Sequence, residues 1–238
     1  MSTKQLSENG HEAMTGLSLA ALSRRKFLGY VGMGSALVIG ASALSSCDKD
    51  DDNPNNDGVD LGSGDVGILN YAYALEQLEA AFYTRVVASL YSGVTPTEQA
   101  FLTDIRDHEV AHRNFFKAAI TAAGATPLQD LEVDFSSIDF GSRASVLGTA
   151  KVFEDLGVSA YNGAGKLITN SAYLTIAGQI VSVEARHAAL IADLLSNGTF
   201  SNTTDANGLD TALSPSQVLT AADPFIVTKL NASNLPTS

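Results

Sequence analysis

Two Glu-x-x-His quartets, Glu109-Val110-Ala111-His112 and Glu184-Ala185-Arg186-His187, constrain this chain more than any other feature. Residues three apart on a helix share a face one turn from each other, so each quartet sets a carboxylate beside an imidazole. Only seven Glu and three His follow residue 46, and two of those His carry a Glu at this spacing, which is too regular for coincidence. A single quartet would be an ordinary polar pair on a solvated face. The surrounding apolar residues decide otherwise. Ile105, Glu109, His112, Phe116 and Ala119 step by four, three, four, three, and Ile180, Glu184, His187, Ile191 and Leu194 repeat the pattern. Both quartets therefore interrupt the apolar seam of an amphipathic helix. Carboxylates in such a seam must be paired, protonated or metal-bound.

Two further segments add inward carboxylates. Leu69, Ala72, Glu76, Glu79, Tyr83 and Val86 form one seam, and Leu147, Glu154, Val158 and Tyr161 another. Glu76 precedes Tyr83 by seven residues and Glu154 precedes Tyr161 by seven, and each Glu is followed by a Glu-x-x-His, so the halves read as a duplicated helical hairpin. If paired Glu residues are level in each hairpin, the turns fall near Tyr91-Ser92-Gly93-Val94-Thr95-Pro96 and Thr169-Asn170-Ser171, both rich in turn residues. Gly124 to Gly141 has no helical period. Extended, its 18 residues could reach about 60 Å, more than the roughly 35–40 Å of a 25-residue helix, so it suits a crossover along the bundle. The expected fold is all-α, a four-helix bundle with a long crossover between helices 2 and 3.

The arrangement resembles the ferritin-like diiron-carboxylate superfamily over about residues 65–196, where two helices each supply a Glu and two each supply Glu-x-x-His. More narrowly, Leu75-Glu76-Gln77-Leu78-Glu79-Ala80-Ala81-Phe82-Tyr83, Asp107-His108-Glu109-Val110-Ala111-His112 and Val183-Glu184-Ala185-Arg186-His187 are similar to the bacterial exported ferritin-like domain family related to plant desiccation-related proteins. The resemblance implies a metal site of Glu76, Glu109, His112, Glu154, Glu184 and His187, holding two Fe ions or alternatively Mn. Glu79 is an alternative or additional ligand on the first helix, although the shared Glu-to-Tyr spacing favours Glu76. Tyr83 and Tyr161 read either as hydrogen-bond donors behind the ligands or as aromatic core. His108 lies off the seam and reads as a surface or cap residue.

Four carboxylates and two neutral imidazoles carry a charge that two divalent ions would cancel, whereas without metal the clustered carboxylates should have raised pKa values. Oxygen and nitrogen ligands without thiolate suit Fe or Mn. Three functions fit this reading. The first is a diiron oxidase, ferroxidase or peroxide-handling protein with O₂ or peroxide as substrate, the second a dimanganese catalase-like enzyme, and the third a non-catalytic structural or stress-protective surface protein stapled by metal. The chain has one cysteine and so no Cys-x-x-Cys relay of the rubredoxin type.

That cysteine closes a segment that resembles an export signal. Ser23-Arg24-Arg25-Lys26-Phe27-Leu28-Gly29 resembles a twin-arginine motif, followed by an uncharged run ending in Leu44-Ser45-Ser46-Cys47, which resembles a lipobox. Residues 1–46 are expected to be a lipoprotein signal peptide, Cys47 the lipidation site, 47–64 an acidic tether, 65–196 the bundle and 197–238 an extension packing on it. Cys47-Asp48-Lys49-Asp50-Asp51 also resembles a surface-export signal, so the expected location is the cell envelope, anchored in a membrane through lipid and facing its outer surface. Without Lys4, Arg24, Arg25, Lys26, Glu8 and Glu12 the chain keeps 10 basic and 24 acidic residues, a net −14 that disfavours nucleic acid. Ser214 followed by Pro215 marks one short helix in the extension, to Ala222.

Overall fold

Local capping chemistry sets where the helices begin. The Thr95 hydroxyl accepts from the Glu98 N–H (3.1 Å) while the Glu98 carboxylate accepts from the Thr95 N–H (3.0 Å), with Pro96 in the first turn. Ser142 caps the third helix and Asn170 the fourth, each accepting from a backbone N–H two or three residues on. The computed structural model describes residues 58–237. The expected signal peptide, Cys47 and most of the expected tether lie outside the described residues.

In chain order the elements are β1 (Val59–Asp60), α1 (Gly64–Ala88), α2 (Pro96–Ala122), α3 (Arg143–Ala164), α4 (Ser171–Leu195), α5 (Pro215–Ala222) and β2 (Leu230–Asn231). Short 3-10 turns at Gly165–Leu167 and Asp223–Phe225 extend α3 and α5. The architecture is all-α, a bundle of two helical hairpins, as the seams predict. α1 packs chiefly on α2 and α3 on α4, and residues 123–142 cross between the two hairpins without a helix. Gly124, at φ +79°, closes α2 in the left-handed conformation a side chain disfavours. Among the described residues no helix is long and apolar enough to cross a membrane.

α1 is buried on nearly every face, more than its seam predicts. The crossover and the C-terminal extension cover its outer side. Asn70 donates to the Leu61 carbonyl (3.1 Å) and accepts from the Leu128 N–H (3.3 Å), and Gln77 accepts from the Leu131 N–H (2.8 Å). These two buried amides satisfy backbone groups of the crossover and of the segment that precedes α1, which compensates their removal from water. Phe82 on α1 then packs against Phe135 and Phe140 of the crossover and Phe153 of α3, with centroids 5.1–6.0 Å apart.

The structure also buries Glu98, a sixth acid beyond the five inward Glu that the seams predict. It is buried because it closes the α2 capping box and accepts from Arg143 (Nε, 2.7 Å), which in turn donates to the Leu194 carbonyl (2.8 Å). One arginine thereby ties the starts of α2 and α3 to the end of α4.

The C-terminal extension returns along α3. The Leu213 N–H donates to the Ser159 carbonyl (3.0 Å), and β2 pairs in parallel with β1, Val59 opposite Leu230. The close approach depends on Gly163, where an added Cβ would lie 1.7 Å from the Leu213 carbonyl oxygen. Gly148, on the same helix, has nothing within 4 Å of such a Cβ. The two glycines should therefore respond oppositely to alanine. Gly163→Ala should destabilise by about 1–3 kcal/mol or more through steric clash, and Gly148→Ala should stabilise by up to ~1 kcal/mol through helix propensity. Chemical denaturation of both variants checks this, and equal effects would contradict the docking of Leu213 on α3.

Candidate metal centre

The four bundle helices bring the predicted ligands to one point. α1 contributes Glu76, α2 Glu109 and His112, α3 Glu154, and α4 Glu184 and His187, and the four helices bury all of them apart from a partly shielded His112. They form two groups. Glu76, Glu109, His112 and Glu184 each place one ligand atom within 4.8 Å of the others, and so do Glu109, Glu154, Glu184 and His187. Glu109 and Glu184 belong to both.

How they are shared follows from the Glu-x-x-His spacing. Glu109 turns Oε2 to His112 Nδ1 (3.4 Å) and Oε1 to His187 Nδ1 (2.9 Å). Glu184 turns Oε1 to His112 Nδ1 (2.9 Å) and Oε2 to His187 Nδ1 (3.8 Å). Each Glu of a quartet thus spans its own histidine and that of the other hairpin. Glu76 Oε2 closes the first group at 3.4 Å from His112, and Glu154 Oε2 the second at 3.4 Å from His187.

These approaches miss hydrogen-bond angles. Of the ten buried side-chain polar atoms without a hydrogen-bond partner among the described residues, eight belong to these six residues: Glu76 Oε2, both oxygens of Glu109 and of Glu184, His112 Nδ1, Glu154 Oε2 and His187 Nδ1. Buried polar atoms are ordinarily satisfied. Eight lone-pair donors converging unsatisfied from four helices have the chemistry of a two-cation site, with two shared carboxylates and one carboxylate and one imidazole at each end. The buried Glu and His groups could hold metal ions.

A comparison with protein families agrees with this geometry: the model of the ferritin-like domain matches residues 64–197. The chain belongs to the ferritin-like family. No curated protein sequence matches it. In this ferritin-like protein the matched segment spans α1 to α4 and all six residues of the two groups.

The outer oxygens of the end carboxylates are held by tyrosines in a crossed pattern. Tyr83 of α1 donates to Glu154 Oε1 of α3 (2.5 Å), and Tyr161 of α3 donates to Glu76 Oε1 of α1. The crossing requires α1 and α3 to run antiparallel, which the long crossover permits. Each tyrosine fixes one oxygen and leaves the other facing the centre. Burial first, then the facing carboxylate, pushes both phenols well above their ordinary range, so they remain donors.

Glu79 is buried beside the site but belongs to neither group. It fills space left open by Gly157 of α3, where an added Cβ would lie 3.1 Å from Glu79 Oε1. Burial and the charges of Glu184, Glu109, Glu154 and Glu76 raise its pKa well above the ordinary value.

The sequence reading expects raised pKa values for all the clustered carboxylates. Glu76 follows it, raised chiefly by burial and further by Glu184 and Glu109, and burial lifts Glu154 to about 8. Glu109 departs from it. Burial works to raise it, but His112 and His187, one at each oxygen, bring it down to about 2. Burial likewise opposes a charge on His112 and His187, and the surrounding carboxylates outweigh it, holding both up to about 12.

His108 is more than a surface residue. Though exposed, it places Nδ1 2.9 Å from His187 Nε2, with the rings nearly parallel at 11°. Burial, then the charges of His187 and His112, lowers its pKa, leaving a neutral ring able to accept from His187 Nε2–H. Once a cation displaces the Nδ1 proton of His187, that bond keeps the remaining proton on Nε2 and leaves the Nδ1 lone pair facing the carboxylates. A position just off a helical seam carries no periodic signal of this contact, and only the adjacency of His108 to Glu109 hints at it.

Proposed function

We propose that the centre holds two redox-active ions, iron or alternatively manganese, and acts as an oxidase on O₂ or peroxide, with Fe²⁺ oxidation as the simplest form. The observation that carries this is the sharing of Glu109 and Glu184 between two complete ligand groups. Sharing holds two ions close enough to act on one small substrate, whereas a structural site closes around a single ion. When bound, the ions would supply the electron-transfer chemistry.

The chain's own residues serve that chemistry in distinct ways. Glu109 and Glu184 offer both oxygens inward and span the two groups. Tyr161 and Tyr83 hold the outer oxygens of Glu76 and Glu154, orienting the remaining oxygen and keeping a proton at the phenol. His108 keeps the His187 proton on Nε2. Apolar side chains of the four helices keep bulk water from the carboxylates.

With Fe²⁺ supplied, the metal-loaded protein should consume O₂ or H₂O₂, and the Glu109→Ala/His112→Ala double variant should not. Rapid H₂O₂ disproportionation by the manganese form without a reductant would replace the oxidase reading with the catalase-like one. Inert Fe and Mn forms, with a sharp fall in melting temperature on metal removal, would leave the structural role.

The proposed place of action is the cell envelope, reached through the twin-arginine motif and anchored by lipid on Cys47. Cys47→Ala should yield unlipidated protein in soluble or precursor fractions, and unchanged membrane association would overturn the anchor.

A further inference from the structure

At one end of the bundle, beside the candidate metal centre, lies an apolar cavity. Its volume is about 30 Å³. That is roughly two water-sized spheres. Ala72 and Leu75 of α1, Phe116 of α2, Ala160 and Tyr161 of α3 and Ile176 of α4 form its walls. Ala72 and Leu75 lie within one turn of Glu76, and Phe116 is one turn from His112. The Tyr161 hydroxyl, hydrogen-bonded to Glu76, makes one residue both a wall of the cavity and a support of the ligand cluster.

Its few polar groups have little to offer a polar guest. Asp65 is taken up by Thr169 N–H (2.8 Å), the Thr169 hydroxyl (2.9 Å) and Asn170 N–H (2.9 Å). Tyr71 lines the cavity with a buried hydroxyl that has no partner, and Tyr173 adds a second, half-buried phenol to an otherwise apolar wall. The mouth of the cavity is lined by half-exposed residues such as Tyr173 and Ala177, and the apolar walls hold water weakly while offering a small apolar guest close contact.

We propose that this cavity admits and holds dioxygen beside the metal pair, an inference that rests on the oxidase reading above. O₂ is neutral, apolar and two heavy atoms in size, and it gives up no strong hydrogen bonds on entry. Hydrogen peroxide would exchange its hydrogen bonds to water for at most two tyrosine hydroxyls, and a hydrated Fe²⁺ would have to shed its shell against hydrocarbon, both unfavourable. The cavity therefore selects O₂ over peroxide and is not the route of metal entry.

Xenon, an apolar atom of similar bulk, is the direct probe. Crystals of the full chain pressurised with xenon should show it between Ala72 and Tyr161, with or without bound metal. Ala177→Phe on the α4 wall, or the milder Ala177→Met, should displace the xenon. With metal content unchanged, either variant should raise the O₂ concentration for half-maximal Fe²⁺ oxidation several-fold while leaving H₂O₂ consumption unaltered. O₂ uptake by the wild type with no xenon in the cavity, or with the same O₂ dependence in the filled variants, overturns the cavity's role. Equal slowing with O₂ and H₂O₂ overturns its selectivity. Xenon in the cavity of a protein that consumes no O₂ overturns the oxidase reading, and the proposed role of the cavity with it.

Discussion

Glu109→Ala should lose both metal ions together, and Glu184→Ala should do the same. Each carboxylate faces both histidines and belongs to both ligand groups, so its removal leaves two incomplete sites. Glu76 and Glu154 each serve one group. Metal content should therefore fall from close to two ions per chain to near zero in the first pair of variants, and to about one in Glu76→Ala or Glu154→Ala. Affinity in the bridging variants should drop by more than the ~10–100-fold typical of losing a residue that merely orients a ligand. Glu79→Gln should retain both ions, because Glu79 lies outside both groups. Elemental analysis after reconstitution, with far-UV circular dichroism to confirm folding, reads all five variants. Equal losses in Glu76→Ala and Glu79→Gln would show that the α1 register is misassigned by one turn.

Metal uptake at neutral pH should release protons and tighten steeply with rising pH. Without metal, Glu154 titrates at about 8, Glu76 well above the ordinary carboxylate range, and His112 and His187 at about 12. At pH 7 Glu154, His112 and His187 each hold a proton that a cation must displace, so loading should release about three protons, measurable by titration in weak buffer. The same shifts determine the stability of the metal-free protein. For Glu76 and Glu154 the folded pKa is raised, so their contribution is complete below the unfolded value near 4.5 and is lost as pH rises toward 8 and beyond. His112 and His187 are also raised, and theirs is complete below about 6.5 and lost progressively up to about 12. Glu109, lowered to about 2, acts in the opposite direction, but only between about 4.5 and 2. Metal-free protein should thus lose stability from pH 5 to pH 9, by ~1.4 kcal/mol per pH unit for each proton held only in the native state. Metal-loaded protein should not. Denaturant midpoints of both forms across that range check the sign, and a metal-free form that gains stability with pH would refute it.

Most of the buried Glu and His cluster was legible in the sequence because helical periodicity is local. A Glu three residues before a His, inside a seam stepping by three and four, already specifies which face carries it, and the capping residues Thr95, Ser142, Asn170 and Ser214 mark the helix starts. Duplicated spacing made the crossover and both turns readable for the same reason. Glu76 and Glu79 show where local information stops. They lie one turn apart on the same seam, both buried; the shared Glu-to-Tyr spacing favours Glu76, and the position of His112 across the bundle and of Gly157 on α3 separates them. The crossed bonds of Tyr83 and Tyr161 need the antiparallel pairing of α1 with α3, which no spacing within one helix encodes.

Other features depended still more on long-range assembly. The burial of Glu98 comes from Arg143, 45 residues away, and the role of His108 from His187, 79 residues away. The lowered pKa of Glu109 follows from two histidines on different hairpins. The sequence by itself determined the helices, their inward faces and the residues that converge. Tertiary structure decided which oxygen meets which nitrogen, which carboxylate is shared, and which is left aside, because those depend on distances of a few ångströms between helices that the chain brings together only by folding.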